Sequence, residues 1–306
     1  MNLIDVTVEF NTDDKCLDYL EKMRWPNGVC CIACGSVKVS RITRESKTKN
    51  KRKRLYQCLE PQCKHQFSPT AGTIFHDSHL PLRKWFAAIA LVCEAKKGLS
   101  ACQMQRHLKV NYRTAWHLCH RIREAMKEPR FMFGADSPVE VDETYIGGHL
   151  DKRRKQPQKK IPVVGLIQRG GKIQALKVPM ASAQILVGVV KRRVEPGSRV
   201  MTDQWSGYKS LHKDFQHDVI NHIKEFGRGD IHTNTIENFW SLLNRGIVGS
   251  FHKVSIKHLD RYLAEFTYRF NRRDQQEQLF AETTKNLLRG KVLTYDKLTA
   301  STGSGF

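Results

Sequence analysis

The spacing of apolar residues changes from a helical period to an extended one near residue 139. Residues 80–127 carry apolar positions every three or four residues, which is typical of amphipathic helices, with an interruption at "KKGLS". The later part predicts, in chain order, a strand over 139–145, a hairpin around Gly170 and Gly171, a helix over about 181–193, a strand at "SRVMTD", a short helix at "QWSGYKSLH", and helices over about 234–246 and 255–273. This order favours an α/β layer structure in the second half, so we expect a multidomain α/β protein.

The composition allows a sizeable core and points to a polyanionic partner. The chain has 306 residues, 40% of them hydrophobic, which predicts two or three domains with packed interiors. The 52 Lys and Arg outnumber the 30 Asp and Glu, and the resulting net charge of +22 favours binding to nucleic acid. A basic ribosomal protein is the alternative, but it would usually be shorter and would lack a set of functional acids.

We expect neither a membrane segment nor a secretory leader. The most apolar helical stretch, "WFAAIALVC", is too short to span a bilayer, and "MNLIDVTVEF" carries acids and no apolar core. All nine cysteines lie within residues 16–119, which excludes a disulfide framework over the whole chain. This usage favours a reducing compartment with a local metal site, so a cytoplasmic location is expected.

Two closely spaced pairs of cysteines predict a structural zinc site. The expected ligands are Cys31, Cys34, Cys58 and Cys63. Paired cysteines on two turns can place four thiolates tetrahedrally around Zn²⁺, and such small domains draw folding energy from the metal. The second pair is separated by four residues instead of two, which leaves His65 as an alternative to Cys63. Cys30 is a less favoured alternative to Cys31.

The stretch "GLSACQMQRHLKVNYRTAWHLCHRIREAM" resembles a helix-turn-helix. Asn111 is placed to cap the second helix, whose apolar residues share one face. The side chains of that helix expected to meet a DNA groove are Arg113, Thr114, His117 and Arg121. Any two amphipathic helices can imitate this motif, so its support comes from the positive charge and the cysteine pairs.

Three carboxylates interrupt the predicted strand in "VEVDETYIGG", residues 139–148. Side chains alternate across a strand, so Glu140 and Asp142 share one face and Glu143 lies on the other. Because an unpaired charge in a buried strand is costly, either the strand lies half-exposed at an edge or Asp142 faces a cation. In the second case, Glu140 and Glu143 are supporting or surface residues.

Two further acids complete a candidate metal site. Asp203 ends the strand "RVMTD", and Glu237 lies at the start of the helix in "HTNTIENFWSLLNRG". Each has an ordinary alternative role, Asp203 in a turn and Glu237 in a capping box with Asn234. With Asp142 they can hold two Mg²⁺ ions, which activate the attacking oxygen and stabilise the leaving oxygen of a phosphodiester.

The order of these features resembles insertion-sequence transposases of the ISXO-type group, which is related to the eukaryotic Merlin elements. The matching stretches cover most of residues 25–275 and are "CIACGS", "TAGTIFHDSHLPLRKWF", "VEVDETYIGG", "TDQWSGY", "HTNTIENFWSLLNRGIVGSFHKVS" and "HLDRYLAEFTYRFNRR". The resemblance implies a ribonuclease-H-like catalytic domain with a mixed sheet and a catalytic triad at Asp142, Asp203 and Glu237. It also implies Mg²⁺, with Mn²⁺ as a substitute, cleavage at terminal inverted repeats, and strand transfer into target DNA.

The resemblance also divides the chain and names its partners. The expected parts are an N-terminal helical segment (1–24), a zinc ribbon (25–76), a helix-turn-helix domain (77–132), a catalytic domain (133–275) and a C-terminal tail (276–306). The expected partners are double-stranded DNA and, because two element ends are cut together, further copies of the chain in a homodimer or larger oligomer. The implied host is bacterial, and the implied location is the nucleoid.

Basic residues outside the helix-turn-helix are expected to contact DNA. The runs 47–54 and 151–160 would neutralise phosphates, although each can also be a solvated loop. In the second run the expected contacts are Arg153, Arg154 and Lys155. Besides the wide second cysteine pair, the chain departs from the group at Asn244, where a lysine is expected. Arg245 is the nearest cation and the candidate contact to the DNA end.

Three other functions compete with transposition. A DNA-binding regulator derived from a transposase would have no need of the three acids. A metal-dependent nuclease or resolvase would cut without joining, and the sequence does not separate it from a transposase. An RNA-associated zinc-ribbon protein would leave the acids unexplained.

Overall fold

The computed structural model describes residues 1–43, 54–147, 160–221 and 229–300. The chain divides into two compact units, each built from segments that are separate in sequence. Unit 1 comprises Met1–Ala95, Ala101–Met126 and Asp274–Phe306. Unit 2 comprises Lys96–Ser100 and Lys127–Arg273. Within the described residues, no helix is long and apolar enough to cross a membrane.

Unit 1 is mainly helical. Its helices, numbered in chain order, are α1 (Leu3–Glu9), α2 (Asp13–Arg24), α3 (Leu82–Glu94), α4 (Ala101–Leu108), α5 (Tyr112–Ala125), α9 (Gln276–Arg289) and α10 (Tyr295–Thr299). The predicted pair α4–α5 is present, and Asn111 caps α5 by accepting a hydrogen bond from the amide of Thr114 (2.8 Å). The core gathers aromatic rings, with Phe86 lying 4.7 Å from Phe10 and 5.6 Å from Phe280 between ring centroids.

The expectation of a C-terminal tail from residue 276 is wrong, because α9 is part of the core of unit 1. Leu279, Phe280 and Leu287 are buried, and the carbonyl of Leu287 accepts a hydrogen bond from the amide of Ile74 (3.1 Å). The spacing of these apolar residues is helical, and their burial explains why the segment folds back. Residues 301–306 lie outside the described ones.

A small three-stranded antiparallel sheet lies within unit 1. Its strands are β1 (Val39–Ile42), β2 (Leu55–Cys58) and β3 (Gln66–Phe67), in the order β1-β2-β3. The rings of Trp25, Tyr56 and Phe67 pack edge-to-face and stacked against one another beside it. This apolar core is small, so the sheet needs a further source of stability.

Unit 2 contains a mixed sheet, as the resemblance implies. Its strands are β4 (Val139–Ile146), β5 (Ile161–Gln168), β6 (Ile173–Lys177), β7 (Arg199–Asp203) and β8 (Gln216–Ile220), in the order β6-β5-β4-β7-β8. The pairs β4–β5 and β5–β6 are antiparallel, and β4–β7 and β7–β8 are parallel. The α/β fold class is therefore confirmed. Strand β8 was not predicted, because "QHDVI" carries too few apolar residues to be recognised at an edge.

Helices cover both faces of this sheet. They are α6 (Ala183–Lys191), a 3₁₀ helix (Ser206–Lys213), α7 (Asn234–Gly246), a π-helical turn (Ile247–Phe251) and α8 (Leu259–Phe270). Val139 and Val141 pack toward α6 and the 3₁₀ helix, and Val163 and Ile167 pack toward α7 and α8. Gly165 on β5 allows α7 to approach, since a Cβ there would lie 2.5 Å from the Trp240 ring. Trp240 is thereby held against the face that carries Asp142.

Candidate active site and metal centre

An opening between β4 and β7 brings two of the predicted acids to the same edge of the sheet. The parallel pairing joins Val139 to Val200 and Glu140 to Met201. Asp142 and Asp203 each lie two residues further along their strands, on the face that carries Glu140 and Met201. The carboxyl edge of neighbouring parallel strands is where α/β proteins place ligands, so this opening is the candidate site.

Asp142 is half-buried at this opening. Its Oδ2 accepts a hydrogen bond from Trp240 Nε1 (3.0 Å). Burial, followed by the neighbouring carboxylates of Glu143 and Asp203, raises the pKa of Asp142 to about 7. The ionised carboxylate is thus held where it lacks hydration and meets like charges. A cation bound at this edge would remove both costs.

Glu143 also belongs to this acidic group. Its Oε2 accepts a hydrogen bond from the hydroxyl of the fully buried Tyr208 (2.7 Å), and burial and the charge of Asp203 raise the pKa of Glu143. The Oδ1 atom of Asp203 accepts a hydrogen bond from the amide of Trp205 (3.0 Å). Sequence reasoning treated Glu143 as a supporting or surface residue and did not single out Tyr208.

Glu140 supports the site by anchoring the start of α7. Its carboxylate is fully buried and accepts hydrogen bonds from the amides of Thr235 (2.9 Å) and Ile236 (3.0 Å). Arg169 Nε also donates to it (2.8 Å) and supplies the opposite charge. A carboxylate at a helix N-terminus beside a guanidinium is well stabilised, so Glu140 fixes α7 to β4.

Glu237 lies on the first turn of α7 and is exposed. Its Oε1 accepts a hydrogen bond from the hydroxyl of Thr233 (2.9 Å), the residue that precedes the helix. The N-cap position is therefore occupied by Thr233 and not by Asn234. Glu237 shares its stripe of α7 with Ser241 and Arg245, and Arg245 is exposed.

The three acids do not converge on a single point. Over the described ranges, the one group of three or more His, Cys, Asp or Glu whose ligand atoms all lie within 4.8 Å of one another is the cysteine cluster. The acidic edge nevertheless offers oxygen ligands, which are the donors that Mg²⁺ prefers. Its chemistry therefore fits a hard divalent cation.

The Sγ atoms of the four predicted cysteines all lie within 4.8 Å of one another. The Sγ atoms of Cys31 and Cys63 lie 3.7 Å apart, and those of Cys34 and Cys58 lie 3.6 Å apart. Tetrahedral Zn²⁺ with Zn–S bonds of about 2.3 Å requires sulfur separations of about 3.8 Å. These two separations therefore match those of a four-thiolate zinc site.

The pKa values of the cluster thiols shift in opposite directions. Burial raises the pKa of Cys31, but hydrogen bonds from the amides of Cys34 and Ala33 outweigh it and lower the pKa to about 7, whereas burial raises the pKa of Cys58 to about 12. His65, the alternative to Cys63, lies outside the cluster with its ring stacked 6.3 Å from that of Phe67. The wide spacing of the second pair is accommodated by a turn in which the amide of Cys63 donates to the carbonyl of Glu60.

The outer face of α5 differs from the expected DNA-reading surface. The guanidinium of Arg113 lies 3.9 Å from the ring centroid of Tyr295, and His117 Nε2 lies 3.0 Å from the carbonyl oxygen of Leu293. Thr114 is half-buried. The segment that precedes and begins α10 thus covers part of the face that the sequence assigned to DNA.

Arg121 is buried and holds unit 1 together. Its guanidinium donates to the carbonyls of Ile74 and His76 and lies 4.8 Å from the Trp85 ring centroid. Burial lowers the pKa of Arg121 to about 10. A residue used in this way is not available to a DNA groove, so the assignment of Arg121 to DNA contact is not supported by its position.

We predict that Arg121→Ala destabilises the protein and leaves its intrinsic affinity for DNA unchanged. One buried and one partly buried carbonyl would lose their donor, which costs about 3 kcal/mol of unfolding free energy. Urea unfolding and fluorescence anisotropy with labelled DNA measure the two quantities. Arg106→Ala, at an exposed position on α4, is the matched control and should change stability by less than about 1 kcal/mol. Weaker DNA binding by folded Arg121→Ala protein would contradict this assignment.

The structure describes only some of the remaining basic residues that the sequence predicts to contact DNA. Arg153, Arg154 and Lys155 fall outside the described residues. Of the run 47–54, Arg54 is described, and it forms ion pairs with Asp18 (2.5 Å) and Glu21 (3.6 Å). Arg54 is therefore already engaged within unit 1.

The fold and the site define a multidomain α/β protein that combines a four-cysteine metal cluster with an acidic edge on a mixed sheet. Family comparisons agree with both parts. Residues 134–271 match the ISXO2-like transposase domain, and residues 11–66 match the transposase zinc-ribbon domain. The chain therefore carries two domains that are found in insertion-sequence transposases.

Two relatives are similar to this chain in sequence. An uncharacterized protein in transposable element ISH50 of Halobacterium salinarum is 29% identical over 281 residues, which covers 85% of this chain and 91% of the relative. An uncharacterized transposase-like protein of Haemophilus influenzae is 29% identical over 123 residues, which covers 40% of this chain and 98% of the relative. The first match shows that the similarity spans both domains and the region between them.

Proposed function

We propose that the protein is a Mg²⁺-dependent DNA transposase that cleaves the ends of its element and joins them to target DNA. The observation that carries the proposal is the acidic edge between β4 and β7. There, Asp142 is half-buried among like charges within the domain that matches a transposase family. Such an arrangement is costly in a protein that never binds a cation.

Each acid has a part in the proposed reaction. Asp142, Asp203 and Glu237 would hold Mg²⁺, which when bound supplies charge neutralisation and activation of the attacking oxygen. Trp240 orients the Asp142 carboxylate through its indole N–H, and Thr233 orients Glu237. Glu140 and Arg169 keep α7, and with it Glu237, in register with β4. Hydrolysis at the element end would free a 3′-hydroxyl, which then attacks the target strand.

DNA binding is proposed to rest on the excess of positive charge. A net charge of +22 predicts affinity that falls steeply with salt, because phosphate contacts release counterions. Arg245 lies exposed two turns after Glu237 on α7 and is the proposed contact to the DNA end. Arg113, Arg153, Arg154 and Lys155 are proposed phosphate contacts. Because both ends of an element must be cut together, we also propose that the protein acts as a dimer or larger oligomer on DNA.

The test is an end-cleavage and joining assay with purified full-length protein. A labelled duplex carrying the terminal repeat found beside the gene is incubated with supercoiled plasmid and either Mg²⁺ or EDTA. We expect cleavage and joined product with Mg²⁺ and neither with EDTA.

The same assay separates the competing functions. Cleavage without joined product would identify a nuclease or resolvase. Tight binding without cleavage in Mg²⁺ or Mn²⁺ would identify a regulator. Binding that prefers RNA over duplex DNA would contradict the proposal as a whole.

A further inference from the structure

The two strands that carry Asp142 and Asp203 are not paired with each other where those acids lie. Pairing of β4 with β7 ends at Glu140 and Met201, whereas β4 remains paired with β5 as far as Ile146. Strand β7 likewise remains paired with β8 through Asp203. Backbone hydrogen bonds therefore fix the position of Asp142 relative to β5 and that of Asp203 relative to β8. The distance between the two acids is left to other contacts.

A side-chain hydrogen bond connects β4 to the segment that follows β7. Tyr208 lies on the 3₁₀ helix that begins three residues after Asp203, and its hydroxyl donates to Glu143 Oε2 (2.7 Å). Glu143 is the residue directly after Asp142 on β4. Tyr208 is fully buried among apolar side chains, so its position is set by packing and not by solvent.

We propose that the Tyr208–Glu143 hydrogen bond sets the separation of Asp142 and Asp203 and so tunes the affinity of the acidic edge for divalent cations. Tyr208 and Glu143 are positioning residues in this account. The inference rests on the proposed function, in which these acids hold Mg²⁺. In this proposal Glu143 positions the two acids and does not itself bind the metal ion.

Removal of the tyrosine hydroxyl isolates this contact. Tyr208→Phe keeps the buried ring and removes the hydrogen-bond donor. The free energy of a hydrogen bond to a charged acceptor corresponds to a change of about tenfold in cation affinity. Tyr268→Phe is the matched control, because Tyr268 is also fully buried in unit 2 but lies on α8. Mn²⁺ binding to the full-length protein is measured by electron paramagnetic resonance, below the melting temperature of each variant. The Mg²⁺ concentration that gives half-maximal cleavage is measured in parallel.

Substitution of Glu143 separates positioning from ligation. Glu143→Gln keeps an oxygen that accepts from Tyr208 and removes the charge, whereas Glu143→Leu removes both. The proposal predicts Mn²⁺ affinity within about threefold of wild type for Glu143→Gln. It predicts a loss of about tenfold for both Glu143→Leu and Tyr208→Phe. These two Glu143 variants also test the proposal if Tyr208→Phe does not fold.

Wild-type Mn²⁺ affinity in Tyr208→Phe, or an equal loss in Tyr268→Phe, would overturn the proposal. Equal losses in Glu143→Gln and Glu143→Leu would also overturn it and would make Glu143 a ligand. If wild-type protein binds Mn²⁺ but cleaves no DNA, the proposed function fails, and the binding measurements still decide this inference.

Discussion

Asp142→Asn is expected to lower the rate of DNA cleavage about a thousandfold while making the metal-free protein more stable. The loss of rate follows because a carboxylate that holds Mg²⁺ contributes several kcal/mol to stabilising the transition state. DNA affinity should be unchanged, since Asp142 is half-buried and Trp240 can still donate to the asparagine oxygen. Single-turnover cleavage and fluorescence anisotropy measure the two quantities.

The gain in stability follows from the raised pKa of Asp142. A carboxyl whose pKa is about 7 in the folded protein and about 4 in the unfolded chain loses stability as the pH rises between those values. Above pH 7 the full cost is present in wild-type protein and is absent in Asp142→Asn. The pKa difference corresponds to about 4 kcal/mol, and we expect about half of it because the side chain keeps some contact with water.

Urea unfolding at pH 5 and pH 8 in EDTA checks this effect. The variant should exceed wild type by about 2 kcal/mol at pH 8 and by less at pH 5. Asp260→Asn, which alters an exposed carboxyl paired with Lys177 (3.4 Å), is the control and should shift stability by less than about 0.5 kcal/mol. A destabilised Asp142→Asn protein at pH 8 would show that the carboxylate is satisfied without metal.

Loss of the zinc site is expected to unfold the small sheet β1-β2-β3 while unit 2 stays folded. The sheet has short strands and a small apolar core, so bound metal would supply most of its stability, about 10 kcal/mol for a structural zinc. Cys58→Ser should therefore lose stoichiometric zinc and the protection of residues 31–43 and 54–67 against hydrogen exchange. Cys58 is fully buried in the cluster, so water cannot solvate the hydroxyl of the serine that replaces it.

Cys102→Ser provides the matched control, because Cys102 is exposed on α4 and lies outside the cluster. Zinc content by elemental analysis and hydrogen exchange by mass spectrometry should be unchanged in this variant. Retention of one zinc and of protection in Cys58→Ser would contradict the four-cysteine site and would require another ligand.

Local patterns in the sequence predicted the elements that carry the chemistry. The strand at 139–146, the hairpin that follows it and the helix with Glu237 each have a clear period, and their boundaries agree within a few residues. The cysteine spacing led to the four residues that form the cluster. These features are encoded by near neighbours in the chain, which is why periodicity and spacing reveal them.

The features that could not be predicted from the sequence depend on contacts between residues far apart in the chain. The hydrogen bond from Tyr208 to Glu143 joins residues 65 positions apart, and the bonds from Thr235 and Ile236 to Glu140 join residues about 95 apart. The burial of Arg121 depends on carbonyls more than 40 residues away. No local pattern encodes such contacts, so the sequence does not distinguish the buried Arg121 from an exposed cation on the same helix.

We propose that acids on three separate elements act in one metal-dependent reaction, and substitution of Glu237 tests this claim. Single-turnover cleavage and joining are measured with Mg²⁺ at saturating DNA for wild type, Glu237→Gln and Asn238→Ala, the last altering the exposed neighbour on α7. We predict that wild type and Asn238→Ala cleave and join, and that Glu237→Gln binds DNA equally but cleaves about a thousandfold more slowly. Cleavage by Glu237→Gln at the rate of Asn238→Ala would contradict the claim and remove Glu237 from the site.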